Sequence, residues 1–379
     1  MNLTKRLLPA MPFSKSIWIP LAVITAGLGV FWWWGSIPAE TKIPPEIRKP
    51  TSDQTARIAP PAENPLVSSF DRLGQRLDTL TSLKDLLAKL DSMNPAESVA
   101  WIRDFLKTGK DKSTGLPFEI GANHAMKQWP TFRTFLLDAL RMIDPTAAAE
   151  ISREILAKPT TADEWALALR NIGLTDNSPG TNALLLEKTE ALIANPAWQA
   201  DPSVGYLNAF DVLVHTGATE TTPLLSNLIQ RKDRKDLAHA AFLTLDRLVQ
   251  NEPADVLARL ASDRALQQSR PEMAAQQFAR ADLRDPAQRE IMRTWMLDPS
   301  RTGTELHSFA GIYPNNNHFI SNNLLTNEST QSGADLAAHD RAALEILNAW
   351  STDPAFARVK VHLATMTSRL NGFVEAPDE

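Results

Sequence analysis

The stretch "RMIDPTAAAE", Arg141–Glu150, contains the pattern that decides the fold. An apolar run ends at Asp144, whose side chain can cap a new helix, and Pro145 follows at the first helical position, where its missing N–H is no loss. Asp or Asn shortly before Pro recurs at Asn94, Asn195, Asn251, Asp298 and Asp353. These positions lie 47 to 56 residues apart. The pattern predicts helices that repeatedly stop and restart, as in a stacked helical array.

Signals for β-strands are almost absent. The chain lacks alternating runs of β-branched residues joined by Asn-Gly or Asp-Gly turns. From Phe70 to Leu90, large apolar residues recur every three or four positions, which places them on one helix face. We therefore predict an all-α fold, with a helical-hairpin repeat array of the α-solenoid type over residues 67–375.

One segment carries a family resemblance. Within "RKDLAHAAFLTLDRLVQ", Leu237, Ala241, Leu245 and Leu248 form one stripe beside small alanines, and "ATETTPLLSNLI" precedes it as a partner helix. Together these stretches, Ala218–Gln250, resemble a hairpin of a HEAT-like repeat protein. The resemblance implies an α-solenoid that serves as a binding surface rather than as a catalyst.

Residues 16–35 have the properties of a membrane-spanning segment. The uncharged run Ser16–Trp34 has 19 residues and would extend about 28 Å as a helix, close to the thickness of a bilayer core. Basic residues precede it and indoles close it: Lys5, Arg6 and Lys15, then Trp32, Trp33 and Trp34. We predict an uncleaved signal anchor with residues 1–15 in the cytoplasm and the tryptophans at the outer boundary. The alternatives are a signal peptide cleaved near Ser36–Ala39 and a buried core helix.

Residues 36–66 contain seven prolines. Proline at this density removes backbone donors and favours extended geometry, so we predict a solvated spacer. The predicted order is a cytoplasmic N-terminus (1–15), an anchor (16–35), a proline-rich linker (36–66) and an extracytoplasmic helical-repeat domain (67–375). This order predicts a single-pass protein of the inner (cytoplasmic) membrane with most of the chain in the periplasm.

Composition and motifs argue against several classes of function. A net charge of −5 without a long basic run argues against nucleic acid as a partner. The absence of cysteine excludes disulfides and thiolate metal sites. The seven histidines form no H-x-x-x-H or H-E-x-x-H pair, so no metal or other cofactor is predicted. Walker, G-x-S-x-G and G-x-G-x-x-G loops are also absent, which leaves nucleotide binding and hydrolase chemistry unsupported.

The segment 311–333 departs from the helical pattern. It contains six asparagines and a histidine, and long loops of this kind are usually functional or disordered. Asparagine both donates and accepts hydrogen bonds, so the loop could contact a peptide or a sugar. The candidate binding residues are Tyr313, Asn316, Asn317, His318 and Phe319. A flexible polar insertion is the alternative interpretation.

These observations lead to one main functional hypothesis and two alternatives. The main hypothesis is a membrane-anchored extracytoplasmic scaffold that binds a protein partner in the cell envelope. The first alternative is a helical-repeat or toroid enzyme acting on glycans or peptides, with acids such as Asp163, Glu164 or Asp282 gathered from separate repeats. Asp163 and Glu164 follow a threonine cap, however, where acids offset the helix dipole, so we favour a structural role for them. The second alternative is a membrane-tethered assembly or folding helper.

Overall fold

The computed structural model describes residues 64–73, 78–317, 322–327 and 332–374, all within the unit Pro61–Glu379. The α-helices are α1 (Pro65–Arg72), α2 (Thr79–Asp91), α3 (Pro95–Lys107), α4 (Phe132–Ile143), α5 (Pro145–Leu156), α6 (Ala162–Gly173), α7 (Pro179–Ala194), α8 (Pro196–Ala200), α9 (Val204–Asn208), α10 (Asp211–His215), α11 (Thr222–Ile229), α12 (Lys235–Asn251), α13 (Pro253–Ser262), α14 (Arg264–Ser269), α15 (Pro271–Phe278), α16 (Pro286–Leu297), α17 (Gly303–Ile312), α18 (Gly333–Thr352) and α19 (Lys360–Val374). The described residues also contain two short antiparallel strands, β1 (Glu119–Ile120) and β2 (Met126–Gln128), and three 3₁₀ segments, Ala122–His124, Thr219–Thr221 and Pro354–Val359. The prediction of a helical body is confirmed.

Most of the predicted helix restarts are present. The side chain of Asp144 accepts a hydrogen bond from the N–H of Ala147 at 3.0 Å and caps α5, while Pro145 is its first residue. Capping side chains that act in the same way before α3, α8 and the last 3₁₀ segment belong to Asn94, Asn195 and Asp353. Each restart is a local event, because the cap and the N–H groups that it satisfies are two or three residues apart.

One predicted restart is present without its predicted cap, and one is wrong. Asn251 is the last residue of α12, and Glu252 precedes α13 without a side-chain cap. Asp298 ends α16, but the next helix begins only at Gly303, after Thr302 as its cap. The carboxylate of Asp298 accepts hydrogen bonds from the N–H of Ser300 and from Arg264, and the residues after it form a turn rather than a helix.

The apolar pattern from Phe70 to Leu90 belongs to two helices. α1 ends at Arg72, where Leu73 is extended with ψ of 130°, and α2 begins after its cap Asp78. The prediction of a single helix face is therefore wrong. Both halves nevertheless pack on the common core, because Leu73, Leu83 and Leu90 are buried.

The helices pack in a row of hairpins. α4, α6, α10 and α12 contact one another in this order, and α15, α17 and α19 continue the series. α11 and α12, which cover the segment Ala218–Gln250, pack against each other as a hairpin. This arrangement is compatible with a helical-repeat fold.

The residues that form polar contacts between hairpins are closer together in the sequence than successive Asp/Asn-Pro positions. Arg133 and Glu164 are 31 residues apart, Asp246 and Arg280 are 34 residues apart, and Asp211 and Arg247 are 36 residues apart. The spacing of 47 to 56 residues between Asp/Asn-Pro positions is therefore not the packing period. The reason is that several helices use a serine or threonine cap and carry no Asp/Asn-Pro signal; these caps are Thr131, Thr161, Ser178, Thr302 and Ser332.

The most deeply buried of these contacts joins α4 to α6. Arg170 and Asp138 are both fully buried, with Nη1 of Arg170 lying 2.8 Å from Oδ1 of Asp138. The indole of Trp129 donates to Asp138 at 2.9 Å, and Arg170 also donates to the side chain of Asn171 and to the carbonyl of His124. Burial lowers the pKa of Arg170, and the Asp138 carboxylate opposes this effect. Arg170 and Asp138 thus neutralise each other, whereas either charge would be unfavourable in the core without the other.

The predicted fold class included a single transmembrane helix, and this part of the prediction is wrong. Within residues 64–73, 78–317, 322–327 and 332–374, no helix is both long and apolar enough to cross a bilayer. The longest, α18 (Gly333–Thr352), is amphipathic and carries Asp335, Asp340, Arg341 and Glu345. The predicted span 16–35 and the residues assigned to its flanks lie outside the described residues; these are Lys5, Arg6, Lys15, Trp32, Trp33 and Trp34.

Replacement of Arg170 by methionine tests the buried pair. The substitution removes the guanidinium that lies 2.8 Å from Asp138 and leaves only Arg141, at 3.9 Å, beside the buried carboxylate. We therefore expect the free energy of unfolding to fall by about 3–5 kcal/mol. Chemical denaturation followed by circular dichroism measures the loss. Arg259→Met is the control, because Arg259 and Asp255 form an exposed pair at 3.4 Å and such pairs contribute less than about 1 kcal/mol. Similar losses for both variants would contradict the role assigned to Arg170.

Candidate functional site

Tyr313, the first predicted binding residue, belongs to the core. Its side chain is fully buried, its ring lies 5.7 Å from that of Phe309, and its hydroxyl has no hydrogen-bond partner. Burial raises the pKa of Tyr313, and the carboxylates of Asp282 and Asp340 add to this effect. Tyr313 therefore cannot contact a ligand at the surface, and its selection as a binding residue is not supported.

The asparagines after Tyr313 divide into buried and accessible ones. Asn315 is buried and donates its backbone N–H to the carbonyl of Ala279 at 2.8 Å and its side-chain amide to the carbonyl of Gln276 at 3.2 Å. Asn316 is half-buried and Asn317 is exposed. His318 and Phe319 lie outside the described residues.

Arg280 attaches this first part of the segment to α12. Its guanidinium donates to both carboxylate oxygens of Asp246, at 2.6 and 2.8 Å. The same guanidinium donates to the backbone carbonyls of Asn315 and Asn317, at 2.9 and 2.7 Å. One buried ion pair between hairpins thus also fixes the backbone of the asparagine-rich segment.

Asp211 on α10 holds a second part, Asn322–Asn327, which we call the seated segment. One carboxylate oxygen of Asp211 accepts the backbone N–H groups of Leu325 and Thr326, at 2.7 and 3.0 Å. The other oxygen accepts the hydroxyl of Thr326 at 2.5 Å and pairs with Arg247 of α12 at 2.5 Å. Arg247 also donates to the hydroxyl of Thr326. Both carboxylate oxygens of Asp211 are therefore engaged by the seated segment and by Arg247.

The apolar side chains of the seated segment fill a gap next to α6. Leu324 and Leu325 are buried. A Cβ atom on Gly173 would lie 2.9 Å from Cδ1 of Leu325, so the absence of a side chain at Gly173 makes room for this leucine. His215 borders the same gap at the C-terminus of α10; burial lowers its pKa, and Asp211 opposes this effect. Nδ1 of His124 lies 3.1 Å from the carbonyl oxygen of Asn323.

A groove runs along α12 beside the seated segment. It has a volume of about 430 Å³ and combines amide side chains, His239 and an apolar floor; its lining is Leu207, Asn208, Phe210, Asp211, Asp236, His239, Ala240, Leu243, Thr244, Asp246, Arg247, Gln250, Asn251, Asn322, Asn323 and Asn327. A second cavity of about 200 Å³ shares Gln250 and Asn251 with it. We call the larger cavity the α12 groove.

The charged side chains of the α12 groove are paired with opposite charges. Asp236 binds Arg234 at 2.7 Å, in addition to the Asp246–Arg280 and Asp211–Arg247 pairs. What remains for a ligand is a neutral surface of amides, one imidazole and apolar carbon. Such a surface is suited to recognition by hydrogen bonds rather than to attraction of a charged substrate.

The acids considered for catalysis serve the fold. Asp163 accepts the hydroxyl of Ser203 at 2.6 Å and the N–H of Gly205 at 3.0 Å, and so fixes the start of α9. Burial raises the pKa of Asp163, which these two hydrogen bonds oppose. Glu164 is buried and pairs with Arg133 at 2.8 Å.

The third acid, Asp282, is also tied to a neighbouring side chain. Burial alone would raise the pKa of Asp282, but the hydrogen bonds from Arg284 and the charges of His339 and Arg284 together lower it. Nε2 of His339 lies 4.0 Å from Asp282. Among the described residues, no group of three or more histidines and acids is arranged to hold a metal ion.

Comparison of the chain with protein families, curated proteins and solved structures gives no match. The α12 groove was not predicted from the sequence, and neither was the role of Asp211, Arg247 and Gly173. A recurring separation of 31 to 36 residues between acids and arginines was the available signal. The Asp/Asn-Pro pattern does not indicate this separation, because a cap shows where a helix begins and not which helices contact each other.

Replacement of Thr326 by valine tests how the seated segment is held. Valine keeps the shape of threonine but removes the hydroxyl that donates to Asp211 and accepts from Arg247. Because hydrogen bonds to charged groups contribute about 1.5–3 kcal/mol, we expect a loss of this size in the free energy of unfolding. Thr365→Val on α19 is the control; its exposed hydroxyl bonds only within its own helix, to Val361. A loss at Thr326 no larger than that of the control, measured by urea denaturation, would show that the hydroxyl contacts with Asp211 and Arg247 do not hold the segment.

Proposed function

We propose that this chain is an interaction scaffold of HEAT-like helical repeats that binds an extended segment of a protein partner in the α12 groove. The observation that carries the proposal is the chemistry of the groove lining. Its aspartates and arginines are neutralised by one another, while amide groups from α12 and from the facing segment remain at its surface. The predicted envelope location of the partner stays a prediction.

An extended polypeptide matches this lining. Each residue of such a ligand presents one N–H donor and one C=O acceptor, and the exposed side-chain amide of Asn251 offers both functions. The amide nitrogen of Gln250 already donates to Asp246, so Gln250 offers its side-chain oxygen as an acceptor. Leu207, Phe210 and Leu243 provide an apolar floor for ligand side chains. The volume of about 430 Å³ lies within the range of roughly 300–1,000 Å³ that is usual for ligand sites.

The enzyme alternative has less support. A glycan-cleaving site needs a proton-donating acid and a second carboxylate on opposite sides of the bond to be broken. Asp163, Glu164 and Asp282 are engaged by Ser203 and Gly205, by Arg133 and by Arg284, respectively. Such engagement favours a structural role over proton transfer.

Peptide selection followed by mutation of the groove tests the proposal. The full chain is used to select peptides from a random displayed library, and the dissociation constant of the best peptide is measured by fluorescence anisotropy. Asn251 is exposed at the groove, and its replacement by alanine removes about one hydrogen bond, so we expect Kd to rise about fivefold.

The control for this experiment is Gln268→Ala. Gln268 is an exposed amide on α14, outside the lining of the groove, and its replacement should leave Kd unchanged. An equal effect of both substitutions would place the ligand elsewhere. Binding of glycans but of no peptide would overturn the proposal in favour of a sugar-binding protein.

A further inference from the structure

The seated segment is bound in the manner of a ligand. Its contacts with Asp211 and His124 join residues 114 and 199 positions apart in the chain. Its backbone is held by side chains of the helical body, and its residues Leu325 and Thr326 supply the apolar and hydroxyl contacts. The helical body therefore contains a receptor surface, formed by Asp211, Arg247, Gly173 and His124, which we call the seat.

The seat reads specific features of the segment that it holds. Asp211 accepts two successive N–H groups, which excludes proline at the positions of Leu325 and Thr326. The hydroxyl of Thr326 donates a hydrogen bond to Asp211 and accepts one from Arg247, so the pair recognises a hydroxyl group. The space above Gly173 admits a leucine side chain. The recognised pattern is thus two leucines followed by a threonine.

The seat is continuous with the α12 groove. Asp211 and Arg247 belong to the seat and also line the groove, as do Asn322, Asn323 and Asn327 of the seated segment. A partner segment bound along α12 would therefore lie next to Asp211 and Arg247 of the seat. It would then compete with the seated segment for the same hydrogen bonds.

We propose that the seat is a binding site for a Leu-Leu-Thr segment of a protein partner, and that Asn322–Asn327 occupies it within the chain until the partner displaces it. This inference rests on the proposed function and names the chemistry of the partner. An attached segment competes at an effective concentration in the millimolar range, so it weakens a free ligand of the same sequence strongly.

A fluorescent peptide with the sequence Asn-Asn-Leu-Leu-Thr-Asn tests the inference by anisotropy. It is titrated with the full chain and with the double variant Leu325→Ala/Thr326→Val, in which the attached segment loses its leucine and hydroxyl contacts. We expect at least tenfold tighter binding to the double variant. If this variant loses its helical circular dichroism, Thr326→Val alone takes its place with the same expected order of affinities.

Two controls separate the seat from nonspecific binding. A peptide with valine in place of threonine should bind the double variant at least fivefold more weakly, because it cannot engage Asp211 and Arg247 through a hydroxyl. Adding Gly173→Ala should also weaken the original peptide, since the new Cβ would lie 2.9 Å from the leucine. Adding Gly180→Ala, on α7 with open space around it, should change nothing.

The inference is overturned if the peptide does not bind the folded double variant saturably, or if the valine peptide binds equally well. The peptide selected for the α12 groove is measured on the same preparations. If its dependence on Asn251 persists, only the Leu-Leu-Thr site is wrong. If that dependence is also lost, the proposed function fails together with the inference.

Discussion

The buried pairing of an acid in one hairpin with an arginine about one repeat later is the constraint on which the rest of the structure depends. Asp138–Arg170, Asp211–Arg247 and Asp246–Arg280 repeat this contact along the row of helices. A buried charge without its partner is strongly unfavourable, so each pair allows only one register between neighbouring hairpins. Apolar packing alone would distinguish such registers less sharply, because one leucine stripe fits another in several ways.

The same pairs organise the irregular parts of the chain. A guanidinium has more donors than one carboxylate can accept, and the surplus N–H groups bind backbone carbonyls of connecting segments. Arg170 holds His124 in this way, and Arg280 holds Asn315 and Asn317. At Asp211 the surplus capacity is on the carboxylate, which accepts two N–H groups. Residues of the pairs that join neighbouring hairpins therefore also line the α12 groove; these are Asp211, Asp246 and Arg247.

Sequence reasoning succeeded where the physics is local and failed where it is not. The cap of Asp144 depends on a residue three positions away, so the pattern predicted it. At Asp298 the carboxylate accepts the N–H of Ser300 as a cap would, yet the next helix begins only at Gly303. Asp298 also binds Arg264, 34 positions away, a contact that no local pattern specifies. Tyr313 was selected because its neighbours are polar, yet a polar segment can begin with a residue that completes the core.

The sequence by itself determined that the body is helical and where several of its helices begin, because these features follow from apolar spacing and from side chains that cap N–H groups two or three residues ahead. Only the tertiary structure decided which of the acids are structural, where the α12 groove lies, and that Asn322–Asn327 is bound to Asp211. The contacts of this segment join residues more than one hundred positions apart. Their hydrogen bonds depend on how the hairpins stack, which no local pattern specifies.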